Sequence, residues 1–379
     1  MPQGVGVRVP SSPGESGANI FSGDEMAIEV RKTKHSKISK VDFAGLGFGD
    51  IFSDHMLKMA YGKGRWGAPK IVPFGPMRIF PSLSTLHYGQ SVFEGLKAFY
   101  AKDGSINVFR PERHIDRFNL SCHRLCIPPV DKKVFFEGLV HLLRIDREWI
   151  PKQKGYSLYI RPFAFAMDST LGVHVANTYQ FMIILSPVGA YYKEGFNPVK
   201  LVTAVEHARS VEGGCGAVKT AGNYAASLFA ANEAQKKGFT QVLWLDGVHR
   251  NYIEEVGTMN VFFLIDDVLV TPHLSGTILA GVTRDSVIQI ARDWGMEVNE
   301  RRISVDELMK AADSGRLKEA FGTGTAAVIS PVGTIRHKNK TITINEGKTG
   351  KLALKLYNTI TGIQYGEKPD KFKWIYKIK

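Results

Sequence analysis

Apolar positions along the chain change period several times, and the changes divide it into parts. The opening stretch, Met1 to Gly23, is rich in Pro, Gly and Ser and shows no periodicity. Further on, Ile106-Asn-Val-Phe109 reads as a strand. Pro111 then opens a helix through Arg113, His114 and Arg117 to Leu125, because proline suits a first helical turn. Leu158-Tyr-Ile-Arg161 and Tyr179 to Leu185 read as buried strands. Between Ser186 and Pro198, Pro and Gly mark a linker. The second half alternates more regularly. A strand at Leu201 to Ala204 precedes the Gly-rich stretch Glu212 to Lys219, and a helix runs from Tyr224 to Lys237. Asn223 is expected as its N-cap and Gly238 as its stop. Strands at Gln241 to Leu245 and Val261 to Ile265 follow, then a helix from Val282 to Trp294 after Gly281, closed by Gly295. The pattern predicts an α/β (α+β) enzyme-sized chain in two parts. A partly disordered arm spans 1–40, a small α/β domain 41–188, a linker 189–198 and a larger domain 199–379.

Length and composition agree with this division. A chain of 379 residues buries a sizeable core and suits two domains. Its 44% hydrophobic and 22% charged residues are ordinary for a globular protein. No apolar run approaches the ~18 residues of a membrane span, and no secretory signal opens the chain. Arg8 and the absence of acids before Glu15 faintly resemble a transit segment, but the composition fits a disordered arm better. The cytoplasm is therefore the expected location. The net charge of +13 is dispersed, without Lys/Arg blocks or interleaved aromatics, which points to small anionic substrates rather than nucleic acid. Three cysteines, Cys122, Cys126 and Cys215, form no CxxC pair and fit a reducing compartment. Cys122 and Cys126 read as small apolar residues on one helix face rather than as metal ligands with His123, so no metal is expected.

Four features of the sequence carry chemistry. Lys219 follows three glycines and precedes a helix start, where partial burial and the helix dipole favour the neutral amine that Schiff-base chemistry requires. Gly281-Val282-Thr283 opens a helix with unpaired amides, and Gly322-Thr-Gly-Thr-Ala326 forms a second Gly-rich loop. With Arg117 these make a phosphate cup. Glu254-Glu255 stand before Val256-Gly-Thr-Met-Asn260, where one carboxylate is suited to hold a pyridinium nitrogen protonated. Tyr88, Phe93, Tyr159, Tyr191 and Tyr224 lie near turns, suited to wall an apolar pocket. Taken singly, each feature also has an ordinary reading as a solvated lysine, a helix cap, exposed acids or core aromatics.

Two nucleotide-binding motifs fail on physical grounds. Gly213 to Thr220 approaches a P-loop, but Val218 occupies the position where glycine lets the backbone wrap a phosphate. Gly322-x-Gly324-x-x-Ala327 approaches a dinucleotide fingerprint, but Pro331 forbids the long helix it requires.

Taken together, collinear stretches from about Gly47 to Lys379 resemble the branched-chain amino acid aminotransferases, of the larger subgroup of fold type IV pyridoxal-phosphate enzymes. They are Phe52-Ser-Asp-His-Met-Leu57, Leu86-His-Tyr-Gly-Gln-Ser-Val-Phe-Glu-Gly-Leu-Lys-Ala-Phe99, Phe109-Arg-Pro, Tyr159-Ile-Arg-Pro162, Pro187-Val-Gly-Ala-Tyr191, Gly213-Gly-Cys-Gly, Lys219 with Asn223-Tyr224, Gln241-Val-Leu-Trp-Leu245, Glu255-Val-Gly-Thr-Met-Asn260 and Phe321-Gly-Thr-Gly-Thr-Ala326.

The resemblance implies pyridoxal 5'-phosphate as cofactor. It implies reversible transamination of L-leucine, L-isoleucine and L-valine with 2-oxoglutarate, giving branched-chain 2-oxo acids and L-glutamate. Lys219 would bond the cofactor and move the proton. Glu255 would face the pyridine nitrogen, and Tyr224 would hydrogen-bond the ring oxygen. Arg117, Val282, Thr283 and Thr325 would hold the phosphate. Amides near Thr258 and Ala326 would hold the substrate carboxylate, and Arg161 would help accept the second carboxylate of glutamate. Phe48, Phe93, Tyr159 and Tyr191 would wall the pocket, with Tyr88, Leu171 and Val173 supplied by the neighbouring subunit of a homodimer. Where animal members carry a redox-active CxxC, this chain has Ala327-Val-Ile-Ser330, so thiol regulation of that type is not expected. The alternatives of the same fold are a D-amino acid transaminase and an aminodeoxychorismate lyase, which the Tyr159-Ile-Arg161 and Glu255-to-Asn260 signatures fit less well.

Overall fold

A computed structural model describes residues 28–189 and 196–379. In chain order the first half contains β1 (Glu29–Val30), β2 (His55–Gly62), β3 (Arg65–Trp66), β4 (Lys70–Pro73), α1 (Ser84–Tyr88), β5 (Ser91–Phe93), β6 (Leu96–Tyr100), β7 (Ile106–Phe109), α2 (Pro111–Arg124), α3 (Lys132–Ile145), β8 (Ser157–Ala166) and β9 (Tyr179–Val188). The second contains β10 (Val199–Thr203), α4 (Ala221–Lys236), β11 (Gln241–Leu245), β12 (Ile253–Val256), β13 (Met259–Ile265), β14 (Val268–Thr271), α5 (Val282–Asp293), β15 (Val298–Glu300), α6 (Val305–Asp313), β16 (Leu317–Gly324), β17 (Val328–His337), β18 (Lys340–Thr343), α7 (Lys351–Gln364) and β19 (Ile375–Ile378).

The first sheet runs β1-β4-β2-β9-β8-β6-β7-β19, with β3 on β2 and β5 on β8. The long strands β8 and β9 pair antiparallel from Ser157–Val188 to Ala166–Tyr179. Helices α2 and α3 share a core with this sheet, where Phe118, Phe135 and Phe181 meet ring to ring. Pro111 stands in the first turn of α2 as expected, and the Asp131 carboxylate caps α3 by accepting from the Val134 amide at 3.0 Å. The second sheet runs β12-β11-β10-β17-β16-β13-β14-β15, and β12 also pairs with β13, closing six strands into a ring. Leu201, Leu243, Val256, Val261 and Phe263 form one core with Val305 and Leu308 at α6.

Several expectations are corrected. The helix carrying Tyr224 starts at Ala221 with Thr220 as its cap. Asn223 instead turns its amide back to the carbonyls of Cys215 (2.7 Å) and Val218 (2.9 Å), satisfying the Gly-rich stretch that precedes the helix. Gly322 and Gly324 are strand residues of β16 rather than loop residues, so the turn itself is only 325–327. The chain end does not stay with the second sheet, because β19 crosses back to pair antiparallel with β7. Trp374 packs with Phe99 and Phe109 of the first sheet and Phe321 of the second in one core. Residues placed with the arm also join the fold, where β1 lies parallel to β4. Tyr191 lies outside the described residues. No helix among the described residues is long and apolar enough to cross a membrane.

Candidate active site

Lys219 is pinned from both sides before its side chain does anything. Its backbone amide donates to Ser121 Oγ on α2 at 3.0 Å, and its carbonyl accepts from the Phe93 amide on β5 at 3.0 Å. One residue on, Thr220 Oγ1 donates to the Ser91 carbonyl at 3.0 Å. The lysine is therefore held between the first sheet and α4, with its side chain entering a cavity of about 180 Å³. There Nζ donates to the Tyr224 hydroxyl at 2.9 Å and lies 4.8 Å from the centre of the Phe93 ring.

The paired acids separate by strand alternation. Successive side chains of β12 point to opposite faces, so only Glu255 enters the cavity with Lys219, while Glu254 faces a second cavity and accepts from Thr277 Oγ1 at 2.5 Å. The reading of the pair as ordinary exposed acids is corrected, since they are only 5% and 4% exposed. Burial raises both carboxyls above their usual range, against the opposing charge of Arg209. Glu255 Oε1 accepts from the Leu279 amide at 2.9 Å, and Arg209 Nε stands 3.0 Å from Oε2.

Donor groups suited to an anion lie across the cavity. Helix α5 opens after Gly281 without a side-chain cap, leaving the Val282 and Thr283 amides without intrahelical acceptors. A Cβ on Gly281 would lie 2.0 Å from Asn260 Oδ1, so only glycine allows Asn260 to brace this turn. Arg117 faces the same space. Its Nε and a terminal nitrogen donate to the two oxygens of Glu94 at 2.8 and 2.7 Å, and its other terminal nitrogen donates to the Ala280 carbonyl at 3.1 Å. Burial works against ionisation of Glu94. The charge and hydrogen bonds of Arg117, with His114 at 3.3 Å, outweigh burial and hold the carboxyl well below the usual carboxylate range. Arg110, at the start of the same helix, and His114 on it are buried, with Arg110 bonded to Asp285 at 2.5 Å and Ser286 at 2.7 Å.

The turn 325–327 forms the remaining wall. Val328 after it has φ 63°, an unfavourable left-handed conformation for a β-branched residue. Lys97 on β6 is buried, and its Nζ donates to the Ala326 carbonyl at 2.7 Å. Burial pushes this ammonium down to about 8.

Thirteen of the anticipated residues line this one cavity: Phe48, Phe93, Arg117, Tyr159, Arg161, Lys219, Tyr224, Glu255, Thr258, Val282, Thr283, Thr325 and Ala326. Tyr88, Leu171 and Val173 do not; they lie exposed outside it, with the Tyr88 hydroxyl donating to the Leu171 carbonyl. Sequence reasoning missed Glu94, Lys97 and Arg209. For the first two a signal exists, a charged residue inside the apolar run Val92 to Phe99, which burial permits only with a partner. For Arg209, in the irregular stretch after β10, no local pattern gives one.

The comparisons with known proteins agree with this geometry. The model of the amino-transferase class IV family matches residues 91–335. Branched-chain-amino-acid aminotransferase 2 of Bacillus subtilis (strain 168) is 51% identical over 352 residues, covering 93% of this chain and 96% of its own. Among solved structures, the T.th. branched-chain amino acid aminotransferase with pyridoxamine 5'-phosphate has a TM-score of 0.70 at 30% identity, covering 84% of this chain and 97% of its own. The same enzyme complexed with N-(5'-phosphopyridoxyl)-L-glutamate has a TM-score of 0.68 at 29% identity, with the same coverage of 84% and 97%. The chain belongs to the class IV aminotransferases and, within them, to the branched-chain-amino-acid aminotransferases.

Proposed function

We propose that the protein transfers the amino group of L-leucine, L-isoleucine and L-valine reversibly to 2-oxoglutarate, using pyridoxal 5'-phosphate. The observation that carries this reading is the convergence on one cavity of a lysine amine, a buried carboxylate and an arginine beside uncapped helix amides. The residues present fit that cofactor. The glycine-braced start of α5 leaves room and donors for a phosphate, and Thr323 Oγ1, buried on the same wall, has no protein partner.

When bound, the cofactor supplies an electron sink that lets the substrate Cα–H bond break. Lys219 would hold its carbonyl carbon, and Nζ would take and return the Cα proton. The Tyr224 hydroxyl beside Nζ orients that amine and is suited to the ring oxygen. Arg117, the Val282 and Thr283 amides and Thr325 would hold the phosphate. Glu255 would accept the ring N–H. Amides at Thr258 and Ala326 would take the substrate carboxylate, with Lys97 anchoring the Ala326 carbonyl. Phe48, Phe93 and Tyr159 would wall the side-chain end. Arg161, with a buried Nε that has no partner, is suited to the second carboxylate of glutamate. A mostly apolar wall with one cation at its edge serves both substrates.

We infer also a homodimer in the cytoplasm. Phe80, Leu86, Tyr88, Leu171 and Val173 expose apolar surface that a second copy would cover, closing its own pocket with Tyr88, Leu171 and Val173. The two sheets support a division into domains 41–188 and 199–379 joined by a linker 189–198, although β1 and β19 also pair in the first sheet.

Turnover with 2-oxoglutarate tests the function: the three L-amino acids should yield L-glutamate, and D-alanine should not. Faster turnover of D-alanine than of any L-substrate would shift the assignment to a D-amino acid transaminase.

Two smaller predictions concern the walls. A Cβ at position 95 would lie 1.9 Å from the Tyr159 hydroxyl, so Gly95→Ala must displace Tyr159. We expect it to raise KM for L-leucine and 2-oxoglutarate about 10-fold or more, since small misplacements of positioning groups are costly; unchanged KM values would contradict the placement of Tyr159 on the pocket wall. Glu94→Gln removes the charge that holds Arg117. Charge-assisted hydrogen bonds are worth about 1.5–3 kcal/mol, so the cofactor dissociation constant should rise about 10-fold to 100-fold. Fluorescence titration of the apoprotein with the cofactor checks this, and an unaltered constant would remove Glu94 from the phosphate site.

A further inference from the structure

Glu255 is deeply enclosed, and enclosure alone drives a carboxyl toward its neutral form. The groups around it differ in what they bring. The Leu279 amide (2.9 Å) and the Asn260 amide (3.4 Å) reach Oε1 as neutral donors. Glu254 pushes the same way as burial, and Lys219 acts against it more weakly than Arg209 does. Arg209 places a full charge in contact, with Nε 3.0 Å from Oε2.

Arg209 is itself built into place. Its side chain is 8% exposed, and a terminal nitrogen donates to the Thr277 carbonyl, in the same residue whose hydroxyl bonds Glu254. The Gly-rich stretch closes over this contact. A Cβ on Gly216 would lie 2.2 Å from the Thr277 carbonyl oxygen and 2.0 Å from Ser210 Oγ. Gly216 thus allows the chain to pass tightly over the arginine's anchor.

We propose that Arg209 is a positioning residue that keeps Glu255 in its charged form, and so decides that the proton shared between this acid and the cofactor's pyridine nitrogen rests on the nitrogen. The inference rests on the reading of Glu255 as the partner of that nitrogen. The physical basis is a competition of two bases for one proton. A cation in contact with the carboxylate lowers the proton affinity of the base it touches more than that of a base beyond it. With Arg209 in place the pair is pyridinium and carboxylate. Without it the acid recaptures the proton, leaving a neutral ring nitrogen that is a poorer electron sink.

The test uses holoenzyme loaded with pyridoxal phosphate labelled with ¹⁵N in the ring, for wild type, Arg209→Gln, Arg209→Lys and Glu255→Gln. The ¹⁵N shift reports the ring protonation directly, independently of turnover. Wild type should show the pyridinium shift. Arg209→Gln should move it toward the neutral pyridine value. Each unit of change in the acid's pKa redistributes the proton about 10-fold, so kcat should fall by that order while KM for L-leucine stays within about 3-fold. Arg209→Lys, which restores the charge, should recover part of both. A pyridinium shift and wild-type kcat in Arg209→Gln would overturn the proposal. So would weakened cofactor binding with the shift of the bound fraction unmoved, the mark of a merely structural residue. If Arg209→Gln does not fold, Arg209→Lys decides: the retained charge should keep the shift close to the pyridinium value, and a neutral-pyridine shift in folded Arg209→Lys would overturn the charge role. Glu255→Gln with an unmoved shift and full turnover would instead overturn the underlying reading of Glu255.

Discussion

Lys219→Ala should abolish steady-state transamination between L-leucine and 2-oxoglutarate, with kcat reduced by about 10⁴-fold or more. Two losses combine. A positioned proton-transfer group is worth about 10²–10⁴-fold by itself, and the covalent hold on the cofactor disappears with the same amine. The effect is cleanly attributable because the lysine's backbone is fastened through Ser121 and Phe93 rather than through its side chain. Removing the side chain leaves that frame, and Arg117 with the start of α5 should still bind the phosphate. The variant should take up cofactor by phosphate contacts alone and show no covalent adduct after borohydride treatment and mass analysis. Retention of more than about a tenth of wild-type kcat would contradict the assignment of a group on this scale.

Glu255→Gln should be the next most damaging change. Glutamine keeps the shape and can still accept at Oε1 from Leu279, but it cannot hold a ring proton electrostatically. Loss of one preorganised electrostatic partner costs about 10²–10³-fold in kcat, with little effect on KM for L-leucine. The substitution also leaves Arg209 buried without its counter-charge, and breaking a buried pair costs about 3–5 kcal/mol. The variant should therefore melt at a lower temperature, and Arg209→Gln in the same chain should restore part of the stability without restoring turnover. Wild-type kcat in Glu255→Gln would remove the carboxylate from the chemistry.

What the sequence reveals depends on how local the signal is. The strand at Ile106–Phe109, the helix opened by Pro111 and the strand Gln241–Leu245 match closely, because proline placement and apolar runs act over a few residues. The start of α4 differs because Asn223, a good cap by type, has better partners in the carbonyls of Cys215 and Val218. The return of β19 to β7 joins residues far apart in the chain, such as Ile378 and Ile106, which no periodicity records. In the site, the Gly-rich lysine and the acid before Asn260 are visible as motifs. The supporting charges are not, because Glu94, Lys97 and Arg209 act through partners distant in sequence: Arg117, the Ala326 carbonyl and Glu255. That Glu254 and Glu255 face opposite ways follows from the alternation of β12, and the acid the structure turns to the cavity is Glu255, the one the resemblance implied.

The central claim is that this cavity carries an amino group from an L-branched-chain amino acid on pyridoxal phosphate. The visible spectrum of the cofactor-loaded protein, before and after addition of L-leucine without any 2-oxo acid, tests it most directly. The account predicts loss of the lysine-bound cofactor band and appearance of the pyridoxamine form, reversed by adding 2-oxoglutarate. A lysine-bound band that ignores L-leucine but responds to D-alanine would contradict the substrate assignment, and no such band at all would contradict the claim itself.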